Sequence, residues 1–116
     1  MVVYIDKDFD IAVTGDSGFV DPNGLVYNNF ASVSDANFVQ YNNPDVDKLI
    51  SDGIATTDQA ARTEIYQKLA EQLLVDLPWV CLYIGQQYEA MKDYVMGYEH
   101  IPTGSNITAR RVWLDQ

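Results

Sequence analysis

The chain has 116 residues, of which 17 are Asp or Glu and 7 are Lys or Arg, and 47% of its side chains are hydrophobic. That is the length and apolar content of about one globular domain, while a formal charge of −10 excludes the clustered cations on which nucleic-acid binding rests. A single cysteine, Cys81, excludes an intrachain disulfide and a multi-cysteine zinc site.

Met1 leads into Val2-Val3-Tyr4-Ile5 with no basic segment and no small-residue cleavage site, so no export signal is expected there. Asp6-Lys7-Asp8-Phe9-Asp10 spaces its carboxylates like the start of a calcium loop. The positions that such a loop reserves for Gly and Glu hold Ile11 and Ser17, so a solvated turn is expected and no metal site. Acidity is concentrated in residues 1–60, which carry ten Asp against Lys7 and Lys48; residues 61–116 are nearly balanced.

Asp10 to Thr14 predicts a short strand that stops at Gly15-Asp16-Ser17-Gly18. Asp21-Pro22-Asn23-Gly24 predicts a turn that Asp21 can cap through its own side chain. Residues 25–42 read as irregular, with Tyr27, Phe30, Phe38 and Tyr41 scattered among Asn and Ser.

A first helix is expected from Asn43-Pro44. Asn suits the N-cap, Pro the first helical position, and Asp45 and Asp47 the positive end of the dipole. Val46, Leu49, Ile50 and Gly53 mark its inner face. Thr57 or Asp58 caps a second helix, with Ala61, Ile65, Leu69 and Leu73 in one stripe widened by Tyr66, Ala70, Leu74 and Leu77, which predicts burial on a broad face. Pro78 ends it. Trp79 to Ile84 is a continuous apolar run bounded by Pro78 and Gly85, too short to span a membrane and expected as a strand buried on both faces. Cys81, Trp79, Tyr83 and Tyr88 are accordingly expected to pack in the core. Gln87 to Met91 and Arg110 to Leu114 are further strand candidates on either side of a Gly- and Pro-containing stretch. Helices alternating with buried strands give an α/β fold.

Asp16 carries the candidate chemistry. Asp16-Ser17-Gly18 after a hydrophobic strand resembles the catalytic loop of retroviral-type aspartic proteases, which pair two such loops across a dimer so that two carboxylates share a proton. Thr14 and Gly15 stand where that pattern wants hydrophobic residues, and amphipathic helices do not suit a small β-rich protease. Asp16 could instead hold a ligand ammonium through a charge-assisted hydrogen bond and exclude ligands that lack the amine. Its third use is to cap its own turn.

Several blocks read in order resemble a known family. They are Asp8-Phe9-Asp10-Ile11-Ala12-Val13, Thr14-Gly15-Asp16-Ser17-Gly18 and Asp21-Pro22, then Tyr41-Asn42-Asn43-Pro44-Asp45-Val46-Asp47-Lys48-Leu49-Ile50. Thr57-Asp58-Gln59-Ala60-Ala61-Arg62 running to Tyr66 follows, then Leu77-Pro78 and Tyr94-Val95-Met96-Gly97-Tyr98. Together they are similar to the carboxy-terminal part of the extracellular solute-binding proteins of family 5, the peptide- and nickel-binding capture components of bacterial ABC importers.

The resemblance implies that residues 1–116 are a single C-terminal fragment of a larger two-lobed protein. It implies part of the second lobe of a periplasmic-binding-protein-like (type II) fold, with two main helices and mixed sheet strands. It also implies a non-catalytic chain for which no cofactor is expected, whose partners are a small peptide or similar solute and an ABC permease; nickel, haem and sugar ligands are used by other relatives and stay open. The location implied is periplasmic or on the extracellular face of the membrane, with a lipid anchor on the full-length form as one option. Within the family, dipeptide and oligopeptide binders use an Asp of the block matching Thr14 to Asp21 to grip the peptide's amino terminus. Asp16 is therefore the expected ammonium partner, with Thr14 and Gly15 beside it and Asp21 as the fallback. Phe19-Val20 lengthen the loop relative to the dipeptide pattern, and Val13 replaces a large aromatic. Arg62 is expected to pair with an acidic neighbour, and an excised lobe with uncovered strand edges to self-associate.

Overall fold

The computed structural model describes residues 2–16, 20–86, 88–101 and 106–115. The chain divides into two compact units, one of Met1–Thr14 with Phe19–Val80 and one of Gly15–Gly18 with Cys81–Gln116. Among the described residues, the architecture is helical with one small sheet, consistent with an α/β class.

Three helices organise the first unit: α1 (Pro22–Phe30), α2 (Pro44–Ala55) and α3 (Gln59–Asp76). A π-helical turn, Val2–Asp6, precedes them. Asp21 does cap a turn, but that turn is the first of α1, since its carboxylate accepts from the Asn23 amide at 2.8 Å and Pro22 presets the first helical φ. Residues 25–30 are therefore helical, contrary to the irregular reading. Gly24, Asn28 and Asn29 are weak helix formers, and α1 is held instead by burial of Val26, Asn29 and Phe30.

α2 and α3 begin where the sequence indicates. Asn43 Oδ1 accepts from the Asp45 amide at 3.0 Å, and Asp58 Oδ1 accepts from the Ala61 amide at 2.9 Å. Pro78 cannot extend α3, and Leu77 closes it in a left-handed conformation with φ 47°. The links between elements are equally local. Residues 31–40 run through three successive turns, closed by amides donated from Ser34, Asn37 and Gln40 to the carbonyls of Ala31, Ser34 and Asn37. Asn37, 3% exposed, spans that loop: Nδ2 donates to the Ala31 and Tyr41 carbonyls at 3.2 and 2.7 Å, and Oδ1 accepts from the Tyr41 amide at 3.0 Å.

Val26, Phe30, Ala31, Val46, Ile50 and Leu69 form the core, with Tyr41, Leu49, Tyr66, Leu73 and Trp79 packed around it. Phe30 makes edge-on contacts with Trp79 at 5.5 Å and Tyr41 at 6.3 Å between ring centroids. The buried stripe of α3 is narrower than expected. Leu69 is fully buried and Leu73 and Tyr66 are partly so, whereas Ala61, Ala70, Leu74 and Leu77 are exposed. Among the described residues α3 lies against α2, and α1 packs on α2, so one face of α3 has a helix to pack on.

In the second unit, β1 (Val95–Met96) pairs antiparallel with β2 (Trp113–Leu114), Val95 opposite Leu114 and Met96 opposite Trp113. A 3₁₀ turn, Asn106–Arg111, leads into β2. Gly97 has φ +76°, and a Cβ there would stand 2.4 Å from the Arg111 carbonyl oxygen, so this turn admits only glycine. Arg110 and Arg111 belong to the 3₁₀ turn, and only Trp113–Leu114 of the candidate strand 110–114 is paired.

The remaining strand expectations fail on one physical ground, the lack of a neighbour. Residues 10–14, 79–84 and 88–91 are not strands. An extended backbone needs a second edge to satisfy its amides and carbonyls, and among the described residues the sole paired strands are β1 and β2. Cys81, Tyr83 and Tyr88 are consequently exposed, and Trp79 alone of that group reaches the core. Among the described residues the two-helix, mixed-sheet arrangement is thus replaced by three α-helices and one antiparallel pair. Gln87 lies outside the described residues.

Candidate functional site

The residues singled out by sequence fall in both units. Thr14 and Asp21 belong to the first and Gly15 and Asp16 to the second, and all four are exposed. Ser17, Gly18 and Phe19 lie outside the described residues. Gly15 sits in open space, with nothing within 4 Å of where a Cβ would be.

Asp21 is the best-defined member. Besides capping α1, its carboxylate takes both arms of the Arg62 guanidinium, Nη1 to Oδ2 at 2.8 Å and Nη2 to Oδ1 at 2.7 Å. This two-pronged geometry fixes orientation as well as charge. Arg62 reaches further, with Nε donating to the Gly53 carbonyl at 3.0 Å and Nη2 to the Tyr66 hydroxyl at 3.2 Å. Its guanidinium carbon also lies 5.0 Å from the centroid of the Tyr66 ring. One side chain of α3 thereby ties the N-terminus of α1 to the C-terminal half of α2. Gly53 is the glycine on which this closeness depends, since a Cβ there would stand 3.0 Å from the Tyr66 ring. The hydrogen bonds from Arg62, with help from the Asn23 amide, hold the Asp21 carboxyl below its ordinary range, and the same pairing raises Arg62. The expected acidic neighbour of Arg62 is Asp21, 41 residues away along the chain.

A second polar assembly was not anticipated from sequence. Asp76, at the end of α3, accepts from the Tyr41 hydroxyl, from Asn43 Nδ2 at 2.8 Å and from Gln72 Nε2 at 2.9 Å. A carboxylate there meets the negative end of the helix dipole, and the Tyr41 and Asn43 hydrogen bonds nevertheless lower its pKa. Tyr41 is pushed up to about 12, first by burial and then by Asp76. The only sequence signal was the i, i+4 spacing of Gln72 and Asp76. In the second unit, Glu89 lies 3.1 Å from His100 Nδ1, and hydrogen bonds from Tyr98 and His100 lower the Glu89 carboxyl.

Among the described residues, two of the hollows open on the first unit. One of about 300 Å³ is lined by Lys7, Ser32, Ser34, Asn37, Gln40 and Tyr41, and much of its polar lining is already committed. Ser32, for example, donates its amide and hydroxyl to Asp47 at 2.8 and 2.6 Å. The other, about 430 Å³, is a shallow groove along α3 beside Pro22, Arg62 and Tyr66. Thr14, Gly15 and Asp16 line neither. Among the described residues no group of three His, Cys, Asp or Glu side chains is placed to hold a metal ion.

No family model matches the chain, and no solved structure does. Curated proteins do. The chain is 35% identical over 101 residues to the probable D,D-dipeptide-binding periplasmic protein DdpA of Escherichia coli (strain K12), covering 82% of the chain and 19% of that protein. It is 30% identical over 107 residues to the periplasmic oligopeptide-binding protein OppA of Salmonella typhimurium, covering 91% and 20%. It is 26% identical over 108 residues to the oligopeptide-binding protein AppA of Bacillus subtilis (strain 168), covering 92% and 20%. The chain spans about a fifth of the length of the curated relatives it matches. All three are named as binding proteins. These matches, each covering most of the chain, fit a fragment of a peptide-binding protein of solute-binding family 5.

Proposed function

We propose that the chain is a C-terminal part of a two-lobed, non-catalytic substrate-binding protein that captures peptides or similar small solutes for an ABC permease. It would act in the periplasm or at the extracellular face of the membrane, and residues 1–116 would contribute to the second lobe of a type II binding-protein fold. The reading is carried by the similarity, over most of the chain, to proteins named for binding dipeptides and oligopeptides. In such a protein, ligand would stabilise a closed form that the permease recognises.

Asp16 is the proposed partner of the peptide ammonium, with Thr14 and Gly15 shaping the loop beside it. Asp21 already meets a guanidinium with both oxygens, so a ligand amine there would have to displace Arg62. Its proposed part is to anchor the end of the loop. Asp16 is exposed, and a carboxylate gripping an ammonium in a closed cleft would leave an uncompensated charge with any ligand lacking the amine.

Calorimetry tests this on the protein as its source cell produces it, with a dipeptide and its N-acetylated form as ligands. Asp16→Ala is expected to weaken binding of the free dipeptide by about 1.5–3 kcal/mol, the worth of a hydrogen bond to a charged group, and to strengthen that of the acetylated form, which no longer leaves a carboxylate uncompensated. Equal affinities of wild type and variant for the free dipeptide would move the amine contact away from Asp16.

A further inference from the structure

Asn23 alone among the asparagines of the chain is followed by glycine. With no Cβ on the next residue to block the approach, its side-chain amide is open to attack by the nitrogen of the following peptide group. The Gly24 nitrogen gives up its proton and bonds to Asn23 Cγ, ammonia leaves with the side-chain nitrogen and that proton, and a succinimide ring closes. Water then opens the ring at either carbonyl, giving aspartate or isoaspartate at position 23.

The fold restrains both peptide groups that this reaction needs free. Asn23 and Gly24 lie in the first turn of α1. Gly24 donates its N–H to the Asp21 carbonyl at 3.1 Å, and Asn23 donates its N–H to the Asp21 carboxylate at 2.8 Å. Both arms of Arg62 fix that carboxylate in turn. Helical angles at Asn23 also keep the Gly24 nitrogen turned away from Cγ, so ring closure requires the turn to open.

The product does not fit where the amide stood. Asn23 Oδ1 is buried and has no hydrogen-bond partner among the described residues, so a carboxylate in its place is a buried charge without compensation. Isoaspartate also adds a methylene to the backbone and breaks the helical hydrogen-bond spacing. We propose that Asn23 is a deamidation site gated by the first turn of α1. The closed turn protects the amide, and modification in the open state keeps α1 from returning Val26 and Phe30 to the core. This is independent of the peptide-binding reading, and either can fail without the other.

The test is incubation at neutral pH of the protein as its source cell produces it, followed by peptide mapping with mass spectrometry. In urea Asn23 should be the first asparagine lost. In the folded protein the loss should be slower by the fraction of time that the Gly24 amide is open, which hydrogen exchange at that amide measures separately. Asp21→Ala removes the cap and should speed the loss in the folded protein by about five- to thirty-fold. Asp21→Ser keeps a capping oxygen and should bring the rate back toward wild type. Gly24→Ala should slow the reaction even in urea, because a Cβ then blocks the approach. A folded rate above the product of open fraction and urea rate overturns the gating, and this comparison stands on wild type even if Asp21→Ala does not fold. Equal rates in Asp21→Ser and Asp21→Ala overturn it as well. A modified fraction whose α1 amides exchange as slowly as before overturns the proposed consequence.

Discussion

The three-helix unit and the segment that follows Val80 are built from similar amino acids and end in opposite states. In the first, Val46 and Leu69 are sealed from solvent, each helix start has a side-chain cap, and Arg62 and Asp76 gather polar groups from several elements. In the second, Leu82 and Ile84 stand in water, and among the described residues the paired backbone is a two-residue antiparallel ladder beside one tightly turned glycine. The difference is not apolar content. Val80-Cys81-Leu82-Tyr83-Ile84 is at least as hydrophobic as any stretch of α2, but α2 has α1 and α3 to lie against. An apolar side chain stabilises a fold only by the area that a neighbour takes from water.

The strongest way to break this contrast is to cut the core. Leu69 is 1% exposed and touches the centre of the helical cluster. Leu69→Ala is expected to cost about 2–5 kcal/mol, the transfer term plus the cavity it leaves. Urea unfolding followed by the helical circular dichroism signal measures it. A loss well under about 1 kcal/mol would mean that α1, α2 and α3 do not share one core, because that is the range of a poorly buried site.

The same contrast explains what could be read from the sequence. Asn43-Pro44, Asp58 and Pro78 set the limits of α2 and α3 because capping and chain stopping act within a few residues. α1 was missed because Gly24, Asn28 and Asn29 argue against a helix that Val26 and Phe30 impose by packing. Trp79–Ile84 was misread because an apolar pattern states what a segment would bury, and is silent on whether a partner strand is present. At the candidate site, the residue types gave Arg62 an acidic partner without saying which, since Asp21 is 41 residues distant. Asp16 stood out only through the order of blocks shared with a family, because an Asp in a Gly-bounded loop serves equally well as a cap.

A smaller effect sharpens the comparison through pH. Arg62 holds the Asp21 carboxyl below its ordinary value, so the unfolded state binds that proton more readily than the folded one. The stabilisation is therefore complete above the unfolded pKa of about 3.9 and is lost as pH falls through the lower, folded value. Asp21→Asn keeps a capping oxygen but removes the charge that Arg62 meets. The variant should unfold at lower urea than wild type near neutral pH, and the gap should shrink as the buffer is taken below about pH 4. A gap that stays constant across that range would mean that the pair contributes through geometry alone.

The smallest expected effect is the most exacting test of the contrast. Ile84 is 90% exposed, so it gains almost no area on folding, and its side chain meets nearly the same water in the folded and unfolded chain. At concentrations where the chain is monomeric, Ile84→Ser should therefore change unfolding stability by no more than about 0.5 kcal/mol, the ordinary range of a surface substitution. The same exchange at a covered position would delete an apolar contact and bury a hydroxyl, which costs several times as much. A loss of 2 kcal/mol or so in the monomer would show that the aliphatic row is covered within a single chain. The contrast between the two regions would then fall, since the row would already have the neighbour that it is read as lacking.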